Sequence, residues 1–466
     1  MQDKYKLKEK QEMFFASFLI RLTLDFMFCI ILKNQYQNIA ILKLGYDRGA
    51  FIFCFDILKI VVSYLASFFF SGLIIRLFVR EDEPQEMIMV GLLMVSILPN
   101  LSLFAYGGAG WKYFFIFCIF WIWFICIVYI ISTKIRLNSG ADGVDNTKAL
   151  TPKSASLTFY IVCVLFVVGS IALAARYNHG FKINLNMDSD YVYLARTQAR
   201  GAFGTVENYF RNNAMYMILP LILTIAYQKR KNMIFIFSAF VLLLLYTVDA
   251  QKAIVFIAAV SLMISIFVNE KPTKAIVFGL LSINLIICIF TFITNSTLLS
   301  EAVIKRIYFL PAIISKCQFE YVNQNNSIVV MFSSLARNLG LIKDYAYANI
   351  QLPFVIGSKY FGSVNISANT GAFAGAYVYG IFGLIVIPII YAYLFCALKI
   401  VTNTISFKFY ISVVVSLIYV IQGASITSVI LVYGMLLAIV LLSLMKHAGS
   451  YTEERETLKI KFKFKL

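Results

Sequence analysis

Runs of about 20 predominantly apolar residues recur along the chain and constrain its fold more than any other feature. A helix needs about 20 such residues to cross the roughly 30 Å hydrocarbon core of a bilayer. Of the 466 residues, 61% are hydrophobic and 14% are charged, against about 25% charged in an ordinary soluble domain. One globular core cannot hide that much apolar surface, so we expect lipid to surround most of the chain. This excludes a cytosolic enzyme, a disordered protein and a nucleic-acid-binding protein.

The runs predict an all-α polytopic integral membrane protein, with one transmembrane domain over residues 1–466 and about twelve transmembrane helices. The expected spans centre on residues 13–32, 50–79, 87–106, 112–132, 157–175, 212–227, 233–248, 252–268, 275–294, 372–398, 408–424 and 426–445. The first run is not expected to be a cleaved signal peptide, because Arg21 interrupts it and no small-residue cleavage site follows.

Lysine and arginine concentrate in the N-terminal segment, in alternate connections and in the tail, which together hold more than half of these residues. Cytoplasmic loops carry such an excess. We therefore expect both termini to be cytoplasmic and the protein to lie in the cell (inner) membrane. The basic tail, residues 446–466, is expected to rest on the anionic inner leaflet. The net charge of +18 is mostly this topological signal.

Two connections on the opposite side are much longer than spanning helices require: outer loop 3 at residues 176–211 and outer loop 5 at residues 295–371. Long loops without helices of their own are uncommon unless they are functional. We expect short helices in the second loop, and we expect recognition or chemistry in both.

In the first loop, Arg196 and Arg200 stand four residues apart, so a helix would place both guanidinium groups on one face. Paired guanidinium groups suit a phosphate or pyrophosphate. Tyr193 lies one turn earlier and offers an aromatic face for a substrate. The alternative is a solvated helix face or a set of headgroup anchors.

Two residues of the same loop could act as a general base. Asp190 belongs to an Asp-Ser-Asp run similar to the metal-binding signature of some glycosyltransferases, although it could equally cap a helix. His179 titrates near neutral pH, although beside Asn178 and Gly180 it could be a turn residue.

The second loop combines cations with aromatic residues. Arg306 and Arg337 are candidate anion ligands, Tyr308 a candidate sugar-stacking residue and Glu320 a third candidate base. Aromatic residues also mark any membrane interface, and the run between Arg306 and Glu320 could form an amphipathic helix along the outer leaflet.

Charges within the spans occur in pairs. Arg21 and Asp25 are four residues apart, and Asp56 and Lys59 are three apart, so each pair could neutralise itself on one helix face. The alternative is that they line a polar groove. Phosphate-loop, zinc-helix and dinucleotide-binding motifs are missing from the sequence, and seven of the eight cysteines lie in apolar runs. We therefore expect no cofactor, no metal and no disulfide framework.

The run from Ile366 to Gly383, ISANTGAFAGAYVYGIFG, leads into LIVIPIIYAYLF. It resembles the end of the last large outer loop and the following span in Wzy-type O-antigen polymerases, the oligosaccharide repeat unit polymerases. Gly371 and Gly375 would provide a small-residue face for close helix packing. Twelve spans, cytoplasmic termini and two large arginine-containing outer loops agree with that family. The Arg-x10-Gly spacing of some members does not occur in either loop.

The resemblance implies inverting glycosyl transfer at the outer face of the membrane, without a metal. Donor and acceptor would be undecaprenyl-pyrophosphate-linked glycans, and a chain-length regulator is a possible partner. The product would be O-antigen or a capsule-like polysaccharide. Arg196, Arg200, Arg306 and Arg337 would then hold the pyrophosphate, with Asp190, Glu320 or His179 as base. The alternatives are a lipid-linked oligosaccharide flippase, which usually has shorter outer loops, and an O-antigen ligase, which shares the chemistry.

Overall fold

The computed structural model describes residues 2–42, 52–138, 151–178, 198–199, 201–249, 251–297, 299–325, 352–362 and 366–449. Over these residues all regular secondary structure is helical. The helices are α1 (Gln2–Leu42), α2 (Ile57–Phe78), α3 (Pro84–Tyr106), α4 (Trp111–Asn138), α5 (Pro152–Asn178), α6 (Thr205–Asn213, Ala214–Ile218 and Leu219–Gln228), α7 (Asn232–Asp249), α8 (Lys252–Phe267), α9 (Pro272–Thr294), α10 (Ser300–Phe309 and Leu310–Asn325), α11 (Leu352–Phe361), α12 (Ala372–Tyr377), α13 (Gly380–Thr402), α14 (Phe407–Gly423) and α15 (Met435–Ala448).

Each predicted span coincides with helix in the structure, but the helices differ in length. Seven are long and apolar enough to cross a membrane, namely α2, α3, α4, α5, α9, α13 and the Lys6–Lys33 part of α1. The apolar helices α7, α8, α14 and α15 have only 18, 16, 17 and 14 residues. The structure thus supports a helical membrane protein, and the length criterion accounts for seven of the twelve predicted spans.

The connections predicted to be cytoplasmic meet at one end of the bundle, which we call the basic end. Its residues include Lys10, Arg76, Asp82, Glu83, Lys271, Lys274, Lys399, Lys408 and Lys446. The Lys399 ammonium lies 3.0 Å from the Glu83 carboxylate, and Lys408 donates to Asn269 at 2.9 Å. The charge pattern of the sequence therefore predicted which connections lie together.

Three helices change from π-helical to α-helical geometry immediately before a Leu-Pro pair. The pairs are Leu98-Pro99 in α3, Leu219-Pro220 in α6 and Leu310-Pro311 in α10. Proline lacks the N–H that would bond the carbonyl four residues earlier, and its ring clashes with that carbonyl in a regular α-helix. The wider π turn relieves the clash, so each helix passes its proline.

Helix α14 supplies donors to the carbonyls that lie four residues before these prolines. The Gln422 amide donates to Val95 O in α3 and to Ile307 O in α10. The Ser416 hydroxyl donates to Tyr216 O in α6. Buried carbonyls need such partners, so polar side chains in an otherwise apolar helix join α3, α6 and α10 at their irregular turns.

The intramembrane pair Arg21 and Asp25 forms as predicted. The Arg21 side chain is completely buried and lies 2.8 Å from the Asp25 carboxylate. It also donates to Ser67 at 2.7 Å and to Ser63 at 2.9 Å, both on α2. The other Asp25 oxygen accepts from Tyr64 at 2.6 Å. The pair and its partners therefore hold α1 against α2.

The second pair uses separate partners instead of neutralising itself. The Asp56 carboxylate caps the start of α2 by accepting from the backbone of Leu58 and Lys59. The Lys59 ammonium donates to Ala109 O at 3.0 Å, beyond the end of α3. The sequence showed opposite charges about one helical turn apart in both pairs. Asp25 lies within α1, where backbone N–H groups are already bonded, so it pairs with Arg21. Asp56 lies at the start of α2 and accepts from free backbone N–H groups instead.

Candidate functional site

The last turns of α10 lie at the end of the bundle opposite the basic end. The Lys316 ammonium donates to Gly107 O, just beyond α3, at 3.1 Å. Lys112, at the start of α4, donates to Asn323 of α10. These contacts gather a set of polar and aromatic side chains, which we call the far-end cluster: Lys112, Lys316, Gln318, Phe319, Glu320, Tyr321, Lys359, Tyr360, Thr370 and Tyr377.

Lys316 and Glu320 form the charged centre of the far-end cluster. They stand one helical turn apart, so their side chains lie on the same face of α10, and Lys316 Nζ is 3.8 Å from Glu320 Oε1. The lysine side chain is 1% exposed, whereas the glutamate side chain is 31% exposed. Gly107 O belongs to the negative end of the α3 dipole, which favours a cation there. The site thus pairs a buried, held cation with a carboxylate that reaches solvent.

Gln318 connects α10 to the non-helical run before α12. Its amide oxygen accepts from the Thr370 hydroxyl at 2.7 Å, and its amide nitrogen donates to Ala374 O at 3.2 Å. The neighbouring Gly371 must be glycine, because a Cβ there would lie 2.1 Å from Gln422 O. At Gly375 the nearest atom would be 3.6 Å away, so of the two predicted small-residue positions only Gly371 is dictated by close backbone approach.

Aromatic rings surround the charged centre. Phe319 stacks on Tyr377 with ring centroids 4.2 Å apart. The Lys359 ammonium lies 5.3 Å from the ring centres of both Tyr321 and Tyr360. Each of these contacts falls in the range of a cation–π interaction. Phe319, Tyr321 and Tyr360 are buried, so Tyr377, which is partly exposed, is the ring of this group that can meet a sugar.

Three lysines and one carboxylate give the far-end cluster a positive balance. Besides Lys316, Lys112 bonds Asn323, and the exposed Lys359 donates to Gln324 at 3.3 Å. Fixed cations stabilise negative charge that develops on a leaving group, and a carboxylate can accept a proton from an attacking hydroxyl. The arrangement therefore combines positive charge with a carboxylate that can accept a proton.

Among the predicted site residues, Glu320 lies in this cluster, whereas Arg306 and Tyr308 do not. Arg306 is exposed and precedes Glu320 by 14 residues, about 21 Å along a helix. Tyr308 is completely buried beside Asn284 of α9. A ring enclosed by helices cannot stack on a sugar, so the prediction for Tyr308 is corrected to a packing role.

The helix between these residues is also not an amphipathic helix on the leaflet. Phe309 packs edge-on against Phe28 of α1 at 4.9 Å, and Ile313 and Cys317 are fully buried. Helix α10 is therefore enclosed by α1, α3 and α9.

The remaining predicted site residues lie outside the described part of the chain: His179, Asp190, Tyr193, Arg196, Arg200 and Arg337. At the margins of the first loop, Arg176 pairs with Glu207. Arg211 is 3% exposed and lies 5.3 Å from the Phe203 ring. The described margins of this loop thus include a buried cation that could support an anion site.

Sequence reasoning missed several residues of the far-end cluster. Lys112 follows a short connection and carries no motif, and Gln318 and Thr370 are 52 residues apart in sequence. Glu320 and Lys316 were visible as charges in a long loop, but their spacing alone could not show which of them is buried. A lysine one turn before a glutamate within an apolar helical stretch was the available signal.

Among the residues that the structure describes, no group of three His, Cys, Asp or Glu side chains is placed to hold a metal ion. Comparisons with protein-family models, with curated proteins and with solved structures find no match to this chain.

Proposed function

We propose that this protein polymerises oligosaccharide repeat units carried on undecaprenyl pyrophosphate, at the outer face of the cell membrane. The observation that carries the proposal is the Glu320–Lys316 centre of the far-end cluster, placed at the end of a helical membrane bundle opposite the basic end. Activated sugar nucleotides are not available outside the cell. A donor that carries its own pyrophosphate leaving group suits a site with lysines and aromatic rings.

In the proposed reaction, a hydroxyl of the acceptor repeat unit attacks the anomeric carbon of the donor glycan. The new C–O bond forms as the bond to the pyrophosphate oxygen breaks, which inverts the anomeric configuration. Glu320 accepts the hydroxyl proton. Lys112 and Lys359, which are exposed, stabilise the negative charge of the departing pyrophosphate, and the buried Lys316 holds Glu320 in position. Tyr377, which is partly exposed, provides a face for a sugar ring, and Phe319 supports that ring from behind.

The loop residues retain their proposed roles. Arg196, Arg200 and Arg337 would complete the pyrophosphate site from residues outside the described ranges, and Asp190 and His179 are alternative bases. Alanine at Arg196 or Arg200 should then leave cells with a single lipid-linked repeat. If both variants made long glycan chains at normal protein level, Arg196 and Arg200 would have no role in the reaction.

The central test replaces Glu320 by glutamine in the native host and compares the glycan length distribution with that of a deletion strain. We expect Glu320→Gln to lower elongation by about 10²–10⁴-fold, the usual contribution of a general base, and to leave one repeat on the acceptor. Glu270→Gln is the matched control, since Glu270 is exposed in the connection between α8 and α9 at the basic end. It should leave the distribution unchanged.

The deletion strain separates the alternatives. Polymer retained on its lipid carrier would indicate a ligase, and repeats retained inside the cell would indicate a flippase. Either result would overturn the proposed polymerase. A third outcome is possible: the deletion strain makes only single-repeat glycan, and the Glu320→Gln variant restores normal elongation to it. That result would keep the polymerase and assign the base to Asp190 or His179.

A further inference from the structure

Three of the four short apolar helices, α7, α8 and α14, lie together on one side, whereas α15 packs against α5 and α13. Helix α6 packs against α7, α8 and α14, and α8 packs against α14. At 1.5 Å per residue, the 18, 16 and 17 residues of α7, α8 and α14 span about 27, 24 and 26 Å. Helices α4 and α5, with 28 and 27 residues, span about 40 Å. We call the sector of α7, α8 and α14 the thin sector.

Hydrogen bonds show that α6, α8 and α14 each have one end at the same level, at the basic end. Gln228 at the end of α6 donates to Ser265 O of α8 at 2.8 Å. The Ser265 hydroxyl donates to Lys408 O of α14 at 3.0 Å. The ends of α6 and α8 and the start of α14 therefore share one plane, so differences in helix length appear at the opposite end.

A second contact marks where the thin sector ends. The Tyr216 hydroxyl of α6 donates to Gln251, at the tip between α7 and α8, at 2.5 Å. Tyr216 lies 12 residues before Gln228, about 18 Å along the helix, and α6 continues 11 residues further to Thr205. The tip, with Gln251 and Lys252, thus lies well below the far end of α6.

The outer surface of the thin sector faces lipid. Phe240 and Leu243 on α7 are each 52% exposed, and Met263 on α8 is 59% exposed. An apolar surface of about 24–27 Å is shorter than the roughly 30 Å hydrocarbon core. A short apolar surface is matched at modest cost when the bilayer thins locally. Leaving the polar tip within hydrocarbon is less favourable, because polar and charged side chains are disfavoured there.

We infer that the bilayer is thinned by several ångströms at the thin sector, and that phosphate groups of outer-leaflet lipids contact Gln251 and Lys252 there. The lipid could be an ordinary phospholipid or a polyprenyl pyrophosphate, which present the same chemistry to a lysine and an amide. The inference rests on helix lengths and levels and is independent of the proposed function.

Electron cryomicroscopy of the full chain in nanodiscs of 18-carbon phosphatidylcholine tests the thinning directly. The bilayer density beside α7 and α8 should be about 5 Å thinner than beside α4 and α5. Equal thickness on the two sides would overturn the inference, whatever glycans the protein makes.

A labelling experiment tests the phosphate contact in vesicles of the same lipid. The lysines are labelled with a membrane-impermeant amine reagent, and each labelling rate in vesicles is divided by the rate in detergent micelles. The normalised rate at Lys252 should be within about threefold of that at Lys112. Labelling more than threefold slower at Lys252 would overturn the contact. With labelling present, protection of Lys252 by farnesyl pyrophosphate but not by inorganic pyrophosphate identifies a lipid pyrophosphate. Unchanged labelling with both probes identifies phospholipid headgroups.

Discussion

The molecule buries two cations in opposite ways. Arg21 is enclosed with its counter-ion, since the Asp25 side chain is only 7% exposed and serine hydroxyls of α2 complete the set of partners. Lys316 is equally buried, but its carboxylate partner Glu320 lies 3.8 Å away and is 31% exposed. An enclosed pair can only join helices, whereas a buried cation beside an exposed carboxylate can meet a substrate. Exposure of the carboxylate, and not burial of the cation, distinguishes the pair that joins helices from the pair that we propose takes part in the reaction.

The largest expected effect comes from breaking the enclosed pair. Arg21→Ala leaves the Asp25 carboxylate buried without its cation, which should destabilise the protein by about 3–5 kcal/mol. Thermal unfolding in detergent measures this loss, and protein level in the membrane should fall with it. The double variant Arg21→Met with Asp25→Leu should recover much of the stability. If Arg21→Ala unfolded like the unmodified protein, the enclosed pair would not be structural.

Lys316→Met should produce the reverse pattern, with little loss of stability and a large loss of function. Without Lys316, Glu320 loses the ion pair that positions it, and elongation should lose much of the roughly 10²–10⁴-fold contribution of a general base. Glu320 is 31% exposed, so water can solvate its carboxylate when Lys316 is removed, and the loss of stability should be smaller than at Arg21, whose partner is enclosed. The matched control is Lys399→Met at the basic end, whose side chain is 15% exposed beside Glu83. Equal elongation by both variants would contradict the comparison.

Gln422→Leu tests whether the site depends on how α10 is held. The variant removes the donor to Val95 O and Ile307 O, and unsatisfied buried groups cost about 1–3 kcal/mol each. We expect a lower unfolding temperature and reduced elongation per folded molecule. Gln228→Leu, which removes a donor to Ser265 at the basic end, should lower stability without shortening the glycan. Shortening by both variants would reduce the Gln422 effect to general stability.

The smallest of these effects is expected from a single methyl group. Gly371→Ala would place Cβ 2.1 Å from Gln422 O, so backbone must move, at a cost of about 1–3 kcal/mol. The movement would displace the adjacent Thr370 from Gln318. Gly375→Ala meets only ordinary contacts and should be tolerated. Unfolding temperatures of the two variants give the difference, and equal values would show that the approach at Gly371 is not restrictive.

The sequence predicted the helical positions well because hydropathy reports the length of each apolar run directly. It could not distinguish apolar surface that faces lipid from apolar surface that faces protein, since both read alike. Tyr308 and α10 show the result: a helix expected on the leaflet is enclosed by other helices. Most helices, such as α4 and α5, extend beyond their predicted bounds, whereas α2 begins at Ile57 and not at residue 50. Helix α8 matches its predicted run but has only 16 residues.

The site was less predictable because its parts come from distant segments. Glu320 was chosen from its charge and its loop, but its partner Lys316, the anchor between Gln318 and Thr370, and Lys112 depend on packing of α10 against α3, α4 and the run before α12. Spacing within one helix can be read from sequence. Contacts over tens or hundreds of residues are set by the packing of the bundle.

The π turns before the Leu-Pro pairs also determine how the following part of each helix is rotated about its axis. A π turn holds one residue more than an α turn at nearly the same rise, and one residue corresponds to about 100° around a helix axis. The turn ending at Phe309 therefore sets the angular position of everything beyond it in α10. If the helix beyond this turn were shifted by one residue, Lys316 would no longer reach Gly107 O, and Glu320 would project from a different face of α10. The Gln422 amide bonds Ile307 O, about two turns before Lys316. It therefore helps to fix the rotation of α10 about its axis, and with it the direction in which Lys316 and Glu320 project.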